Sequence, residues 1–276
     1  MSNNDDSSRI GILKIVSTFF SSVVIASASI VVTLTYNSKK LEISNKQAVS
    51  QMEIASIKEI SKLIPQLGSE NANERKFSAI TLSLYGKDAV PALIALLDDE
   101  EVDVRTASSK ALSLIGEPAV SELETTFNDR QNSANLRGSA IYTLGRMRSF
   151  RAVPLALETV ADSSENKIVR KDAANALGML KSTRGLPVLL KAIQSTSNTL
   201  LVEAGVWALG EIGDNSVTGQ LSTMLTHPSD KVRIQAVWAL TKLEDETTIH
   251  LLENVIIEDA SLEVRDAAIN ALEWMK

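Results

Sequence analysis

The chain has 276 residues, and its 28 Lys and Arg against 34 Asp and Glu give a formal charge of −6, which leaves no general basic surface for nucleic-acid phosphates. It contains no cysteine, so disulfides, thiolate metal sites and thiol nucleophiles are excluded. Apolar residues make up 44% of the chain but aromatics only 4%, and Ala, Leu, Ile and Val recur at helical spacing, the pattern of an all-α protein with many closely packed helices.

Residues 1–14 form a short polar tail. Residues 15–36, "IVSTFFSSVVIASASIVVTLTY", run for twenty-two positions without a charge. At about 1.5 Å per residue such a helix crosses the roughly 30 Å hydrocarbon layer, so the sequence predicts a single transmembrane helix. A cleaved signal peptide is the other reading, with Arg9 and Lys14 as its basic region and Ala26-Ser27-Ala28 as its cleavage site. Apolar residues continue from Ile30 to Leu34, which favours retention. Lys39, Lys40 and Lys46 after the span nearly balance Arg9 and Lys14 before it, and Asp5 and Asp6 in the short N-terminus tip the expectation towards a cytoplasmic repeat domain. Ser17, Ser21, Ser29 and Thr33 share one stripe through which two spans could dimerise, although hydroxyls bonding back to their own helix explain it as well. Residues 37–56 then read as a juxtamembrane linker or helix, becoming amphipathic through Ile57, Ile60, Ile64 and Leu67 as the chain enters a repeat domain over 57–276.

The phrase "VRKDAANALG" at 169–178 returns in variants along this domain. With Arg170 as marker, equivalent positions fall at Arg75, Arg105, Arg137, Arg170, Val202, Arg233 and Arg265, with gaps of 30, 32, 33, 32, 31 and 32 residues. A period of this length predicts an α-solenoid of about six to seven helical pairs. Apolar residues three, four, seven and ten places after the marker, as in Ala173, Ala174, Leu177 and Leu180, lie on one helix face. A turn follows, with Gly86, Gly116 or Gly213 in three repeats and Arg148 or Lys181 in two others. The second helix opens near Pro91, Pro118, Pro154 or Pro187, where a missing N–H costs nothing. Alanines such as Ala176, Ala208 and Ala239 let neighbouring repeats approach closely.

"VRKDAANALGMLKSTRGLPVLLKAI" and "VEAGVWALGEIGDNSVTGQLSTML" resemble HEAT repeats of the short, phycobilisome-lyase-like kind, over about residues 70 to 276. The resemblance implies a solenoid of HEAT-like hairpins; the family spans lyases, regulators and scaffolds, so it also implies, as an alternative, an accessory module of a bilin lyase that handles a tetrapyrrole. Val202, Arg148, Lys181 and Pro65, the last within the first repeat's expected leading helix, depart from the pattern.

No catalytic or metal-binding group is expected. His227 beside Pro228 and His250 in a helix have no partner at ligand or triad spacing, and the acidic run "LDDEEVD" at 97–103 reads as a solvated turn. No cofactor is expected either, since the glycines recur as repeat turns and not as a phosphate loop.

The position five after the marker points away from the core and should line the concave face. That column and the next turn of the same face supply Tyr142, Arg146, Asn175, Trp207, Glu211, Trp238 and Lys242 as candidate partner-binding residues, with aromatic anchors suited to a protein interface. Packing of each indole on the neighbouring helix is the competing reading for Trp207 and Trp238. Residues 137–191 hold ten basic residues against four acids, whereas 244–276 hold nine acids against two bases. Arg148, Arg151, Lys181 and Arg184 should therefore form a basic edge suited to an acidic protein or anionic lipid, or simply a solvated rim. The sequence thus predicts a membrane-anchored, non-catalytic scaffold for a protein partner, with a lyase module or a basic-edged lipid or nucleic-acid sensor as alternatives.

Overall fold

A computed structural model describes residues 34–275 except 36, 53–54, 56–57, 64 and 68. The chain divides into two compact units, Met1–Glu59 and Ile60–Lys276. In the first, residues 37–52 are helical and exposed, with Lys46 paired to Glu42 one turn earlier at 2.8 Å. Nearly all of the predicted span 15–36, together with Ser17, Ser21, Ser29, Thr33, Ile57 and Ile64, lies outside the described residues.

The second unit opens with helical residues at 60–63 and 65–67, followed by thirteen α-helices: α1 (Ala72–Leu82), α2 (Val90–Ala95), α3 (Val102–Ile115), α4 (Val120–Asn128), α5 (Ala134–Arg146), α6 (Ala152–Ala161), α7 (Lys167–Met179), α8 (Leu186–Ser195), α9 (Thr199–Ile212), α10 (Thr218–Thr223), α11 (Asp230–Lys242), α12 (Ile249–Glu258) and α13 (Leu262–Trp274). No strand occurs among the described residues. Pro65 sits in the helical stretch before α1, so the leading helix of the first repeat is free of it.

Each odd helix carries a marker position and packs on the odd helices before and after it; each even helix packs on the odd helix that follows. Each even helix therefore pairs with the next odd helix, where the sequence pairing had taken odd plus even. The marker-plus-three, four and seven positions are buried in the first six repeats, for instance Ala173, Ala174 and Leu177, in one core that runs through the unit from Ile60 to Ala271; in the last repeat Ile269 is exposed and Leu272 only partly buried.

Ala72–Asp98, 27 residues containing an 18-residue window of mean hydropathy 1.4, is the one described segment long and apolar enough to suggest a membrane span. Its backbone leaves helical geometry at Gly86 (φ 58°, ψ −136°), a conformation open essentially to glycine alone, and the segment is two repeat helices, α1 and α2.

Six odd-to-even turns each hold one residue at positive φ: Gly86, Gly116, Arg148, Lys181, Gly213 and Glu244. The reason is the helix C-terminus. The N–H of Arg148 donates to the Gly145 carbonyl and that of Ser149 to the Leu144 carbonyl, both at 3.0 Å, a Schellman cap whose left-handed position normally takes glycine. Lys181 and Ser182 repeat it against Gly178 and Leu177.

The odd helices meet along a column of glycines that the alanine pattern had shown only in half. A Cβ added to Gly145 would stand 2.6 Å from Cα of Ala176, one on Gly178 2.8 Å from Cα of Ala208, and one on Gly210 2.7 Å from Cα of Ala239. Each glycine leaves the room that the next repeat's alanine occupies, so backbone meets backbone.

Candidate functional site

Marker arginines bond into the stack itself, and most of them grip an inter-helix loop. Arg75 donates from Nε and Nη2 to Asp99 at 2.7 and 3.0 Å and from Nη1 to the Ser69 carbonyl at 2.6 Å. Arg137 donates to both oxygens of Glu165, lies over the Phe127 ring, and is almost fully buried with its partner (7% and 4% side-chain exposure). The resulting hydrogen bonds hold the Glu165 carboxyl below its ordinary pKa. Val202, the exception, is buried without such a bridge.

The even-to-odd loops share a second device. Asp99, Asp129, Asp162, Thr196, His227 and Asp259 each accept the amide N–H of the residue two places on, at 2.8 to 3.1 Å. His227 thus fills a turn-capping slot through Nδ1, and His250 lies exposed on α12.

The predicted partner-binding residues emerge on one face, the exposed side of the odd helices. Trp238 is 38% exposed, and Tyr142, Arg146, Asn175, Trp207 and Glu211 are half-buried. Lys242 of α11 pairs with Glu211 of α9 across the repeats. Tyr142, Asn175 and Trp207 converge, with Met179, Leu200 and Glu203, on a groove of about 390 Å³. Trp207 packs on the neighbouring helix, since its Cζ3 lies where a Cβ on Gly178 would come within 2.8 Å, and the residue also lines the groove. Trp238, by contrast, is exposed.

Of the predicted basic edge, Arg148 and Lys181 hold equivalent left-handed turn positions and Arg184 is exposed in the turn before α8. Arg151 is tied down by Glu124 and, at 3.7 Å, by Glu117.

Two site residues escaped sequence reasoning. Lys171 and Asp172 sit one and two places after the marker, and they pair at 2.9 Å where α7 faces α5. Asp172 is only 8% exposed because Gly138 opposite has no side chain: a Cβ there would be 2.5 Å from Asp172 Oδ2. Burial pushes the Asp172 carboxyl above its ordinary pKa, against the opposing pull of Lys171 and Asn175. The marker-plus-two column reads Phe77, Ala107, Ser139, Asp172, Ala204, Gln235 and Ala267, so an aligned register would have shown one acid among small or uncharged residues.

The sequence profile of HEAT repeats matches residues 60–134, 129–210 and 203–273. Comparison with curated proteins finds no match. Among solved structures, the CpcE–CpcF complex of phycocyanin lyase from a Nostoc species is similar at 25% identity, covering 77% of this chain and 75% of that one with a TM-score of 0.42. Human deoxyhypusine hydroxylase is similar at 19% identity, covering 78% and 84% with a TM-score of 0.40. Escherichia coli YibA is similar at 19% identity, covering 77% and 92% with a TM-score of 0.47.

Proposed function

This chain belongs to the HEAT-repeat family, and we propose that it is a membrane-anchored, non-catalytic scaffold that holds a protein partner on the exposed face of its odd helices. The observation that carries the reading is the groove where Tyr142, Asn175 and Trp207 converge, with Trp238 exposed at the equivalent position of the next odd helix. Aromatic rings beside amides and charged rims are what protein interfaces use as anchors. The glycine column draws the odd helices together, so the stack should curve towards this side and make it concave.

The twenty-two uncharged residues at 15–36 support attachment to a bilayer. The chemistry of the groove supports a binding role: its lining is mainly aromatic, thioether, amide and aliphatic, with Lys171 and Glu203 as its charged groups, and the histidines lie elsewhere, one of them engaged in a turn.

The test is capture from detergent-solubilised membranes by the full chain, by a Trp207→Ala/Trp238→Ala variant, and by an Ile257→Ala control on exposed α12. Proteins retained by the native chain and the control should be lost from the tryptophan variant at an unchanged melting temperature. Equal capture by all three would retire the reading.

A further inference from the structure

Beside the aromatic groove, sharing Tyr142 and Lys171 with it, lies a second depression of about 210 Å³ walled by α3, α5 and α7. Its wall carries Arg105, Thr106, Asn135, Ser139, Lys171 and Asp172. Arg105 is held in place by Nη1, which donates to the carbonyls of Asp99 and Glu100 at 2.6 and 2.9 Å and leaves Nε and Nη2 open. Asp172 pins the Lys171 ammonium at the boundary between the two depressions. Thr106, Asn135 and Ser139 have no side-chain hydrogen bond to any described residue.

The wall therefore offers donors around one volume, while its single carboxylate is already engaged by Lys171 and Asn175. An ammonium or guanidinium guest would meet two cations and have to displace Lys171. An anion meets Arg105, Lys171, two hydroxyls and an amide. The same face extends this balance: Lys110 on α3 and Arg146 on α5 have no carboxylate partner among the described residues. Glu203, the acid of the adjoining groove, directs the guest's charge away from Trp207 and towards α3 and α5.

We propose that this face binds an acidic peptide segment of the partner, with a glutamate or aspartate carboxylate seated between Arg105 and Lys171 and a neighbouring apolar side chain laid against Trp207. The proposal rests on the reading of this face as the protein-binding surface and adds the chemistry of what it accepts. A peptide supplies the charged and the apolar element on one backbone, matching two depressions that share a wall; a free anion fills only the first.

The full chain in phosphatidylcholine nanodiscs is titrated against a fluorescein-labelled decapeptide of two Glu-Glu-Leu-Ser-Glu blocks, with glutamine and lysine versions as controls. The glutamate peptide should bind at least tenfold more tightly than the glutamine peptide, more weakly as salt rises, and at least fivefold more weakly to Lys171→Met and to Lys110→Glu/Arg146→Glu. The melting temperature of Lys110→Glu/Arg146→Glu should match the native chain, while Lys171→Met, which unpairs Asp172, should melt lower yet stay folded at the temperature of the titration. Equal binding of the glutamine peptide, tighter binding of the lysine peptide, or indifference to Lys171→Met overturns the proposal. So does displacement of the peptide by inorganic phosphate or phosphatidylserine vesicles at equal or lower concentration, because the pocket would then belong to another anion. If these titrations fail while the tryptophan variant still loses its captured partner, the scaffold reading stands without the acidic segment; if both fail, both fall.

Discussion

Arg233 holds Asp259 with two parallel hydrogen bonds, Nε to Oδ2 at 2.7 Å and Nη2 to Oδ1 at 2.9 Å, and in doing so spans 26 residues from one inter-helix loop to the next. The same guanidinium donates to the His227 carbonyl, and the Asp259 carbonyl accepts from Arg265, so one loop is gripped from both sides. Asp259→Ala should cost about 2 to 4 kcal/mol, because it leaves a nearly buried cation unpaired and uncaps the turn at Ser261. Urea denaturation measures this. Arg233→Ala with Asp259→Ala should cost less than the sum of the two singles; additivity would mean that the pair is not coupled.

Acid should act in two opposite stages. The Glu165 carboxyl is held low by hydrogen bonds from Arg137, and Asp162, Asp214 and Asp245 by hydrogen bonds from Ser164, Ser216 and Thr247. Burial raises Asp259, but Arg233 and the Ser261 amide outweigh it and leave it low as well. A carboxyl whose folded pKa is depressed stabilises the fold above its unfolded pKa, and that stability is lost as pH falls through the depressed range. Asp172 has the reverse sign: raised by burial, it takes up its proton in the folded state first, so falling pH relieves a cost. Asp172→Asn should therefore raise the melting temperature at neutral pH, with a margin that shrinks as pH approaches the ordinary carboxylate range. A margin constant with pH would contradict the assignment.

Arg148→Gly, Lys181→Gly and Glu244→Gly should each stabilise the protein by about 0.5 to 1 kcal/mol, since each residue sits at positive φ in a cap that prefers glycine. Thermal melts of the three singles and the triple check this. The converse change, Gly86→Ala, should cost more than Gly213→Ala, because Gly213 is in the ordinary left-handed region and Gly86 is not.

Gly178→Ala should cost about 1 to 3 kcal/mol and shift Trp207 fluorescence, because the new methyl would meet both the Ala208 backbone and the indole. Gly219→Ala, with open space around it inside α10, should be neutral or stabilising by up to about 1 kcal/mol. Equal effects at the two sites would remove close packing as the reason for the glycine column.

The repeat phase was legible in the sequence because packing is periodic: Val169, Ala173, Ala176 and Leu177 announce a buried face wherever they recur. Five of the six positive-φ turn positions, including Arg148 and Lys181, followed from register alone. Glu244 did not, since a charged residue in a charged turn carries no mark of its backbone. Asp172 was hidden for a different reason. Within its own helix it reads as solvent-facing, and what buries it is the missing side chain of Gly138, 34 residues earlier and one repeat away. The arginine served as a counting mark before its partners were visible, because its bonds run to loops whose shape no single repeat specifies. Thr196 and His227 looked unrelated to the aspartates until all six were seen accepting the same amide.

Val202 gives the stack an uneven stiffness along its length. Elsewhere a guanidinium is bonded to an inter-helix loop or, for Arg170, to the Val160 carbonyl in the last turn of α6, and in three repeats it bridges to the next loop; at this joint no guanidinium joins the loop at Thr196 to that at His227 among the described residues, and the ion pair between Lys242 and Glu211 lies towards the other end of α9. Apolar surfaces slide at little cost, whereas a two-pronged ionic bond resists both shear and torsion. A load applied along the repeats would concentrate its strain there, and the molecule would flex as two stiff arms about a softer elbow at α9.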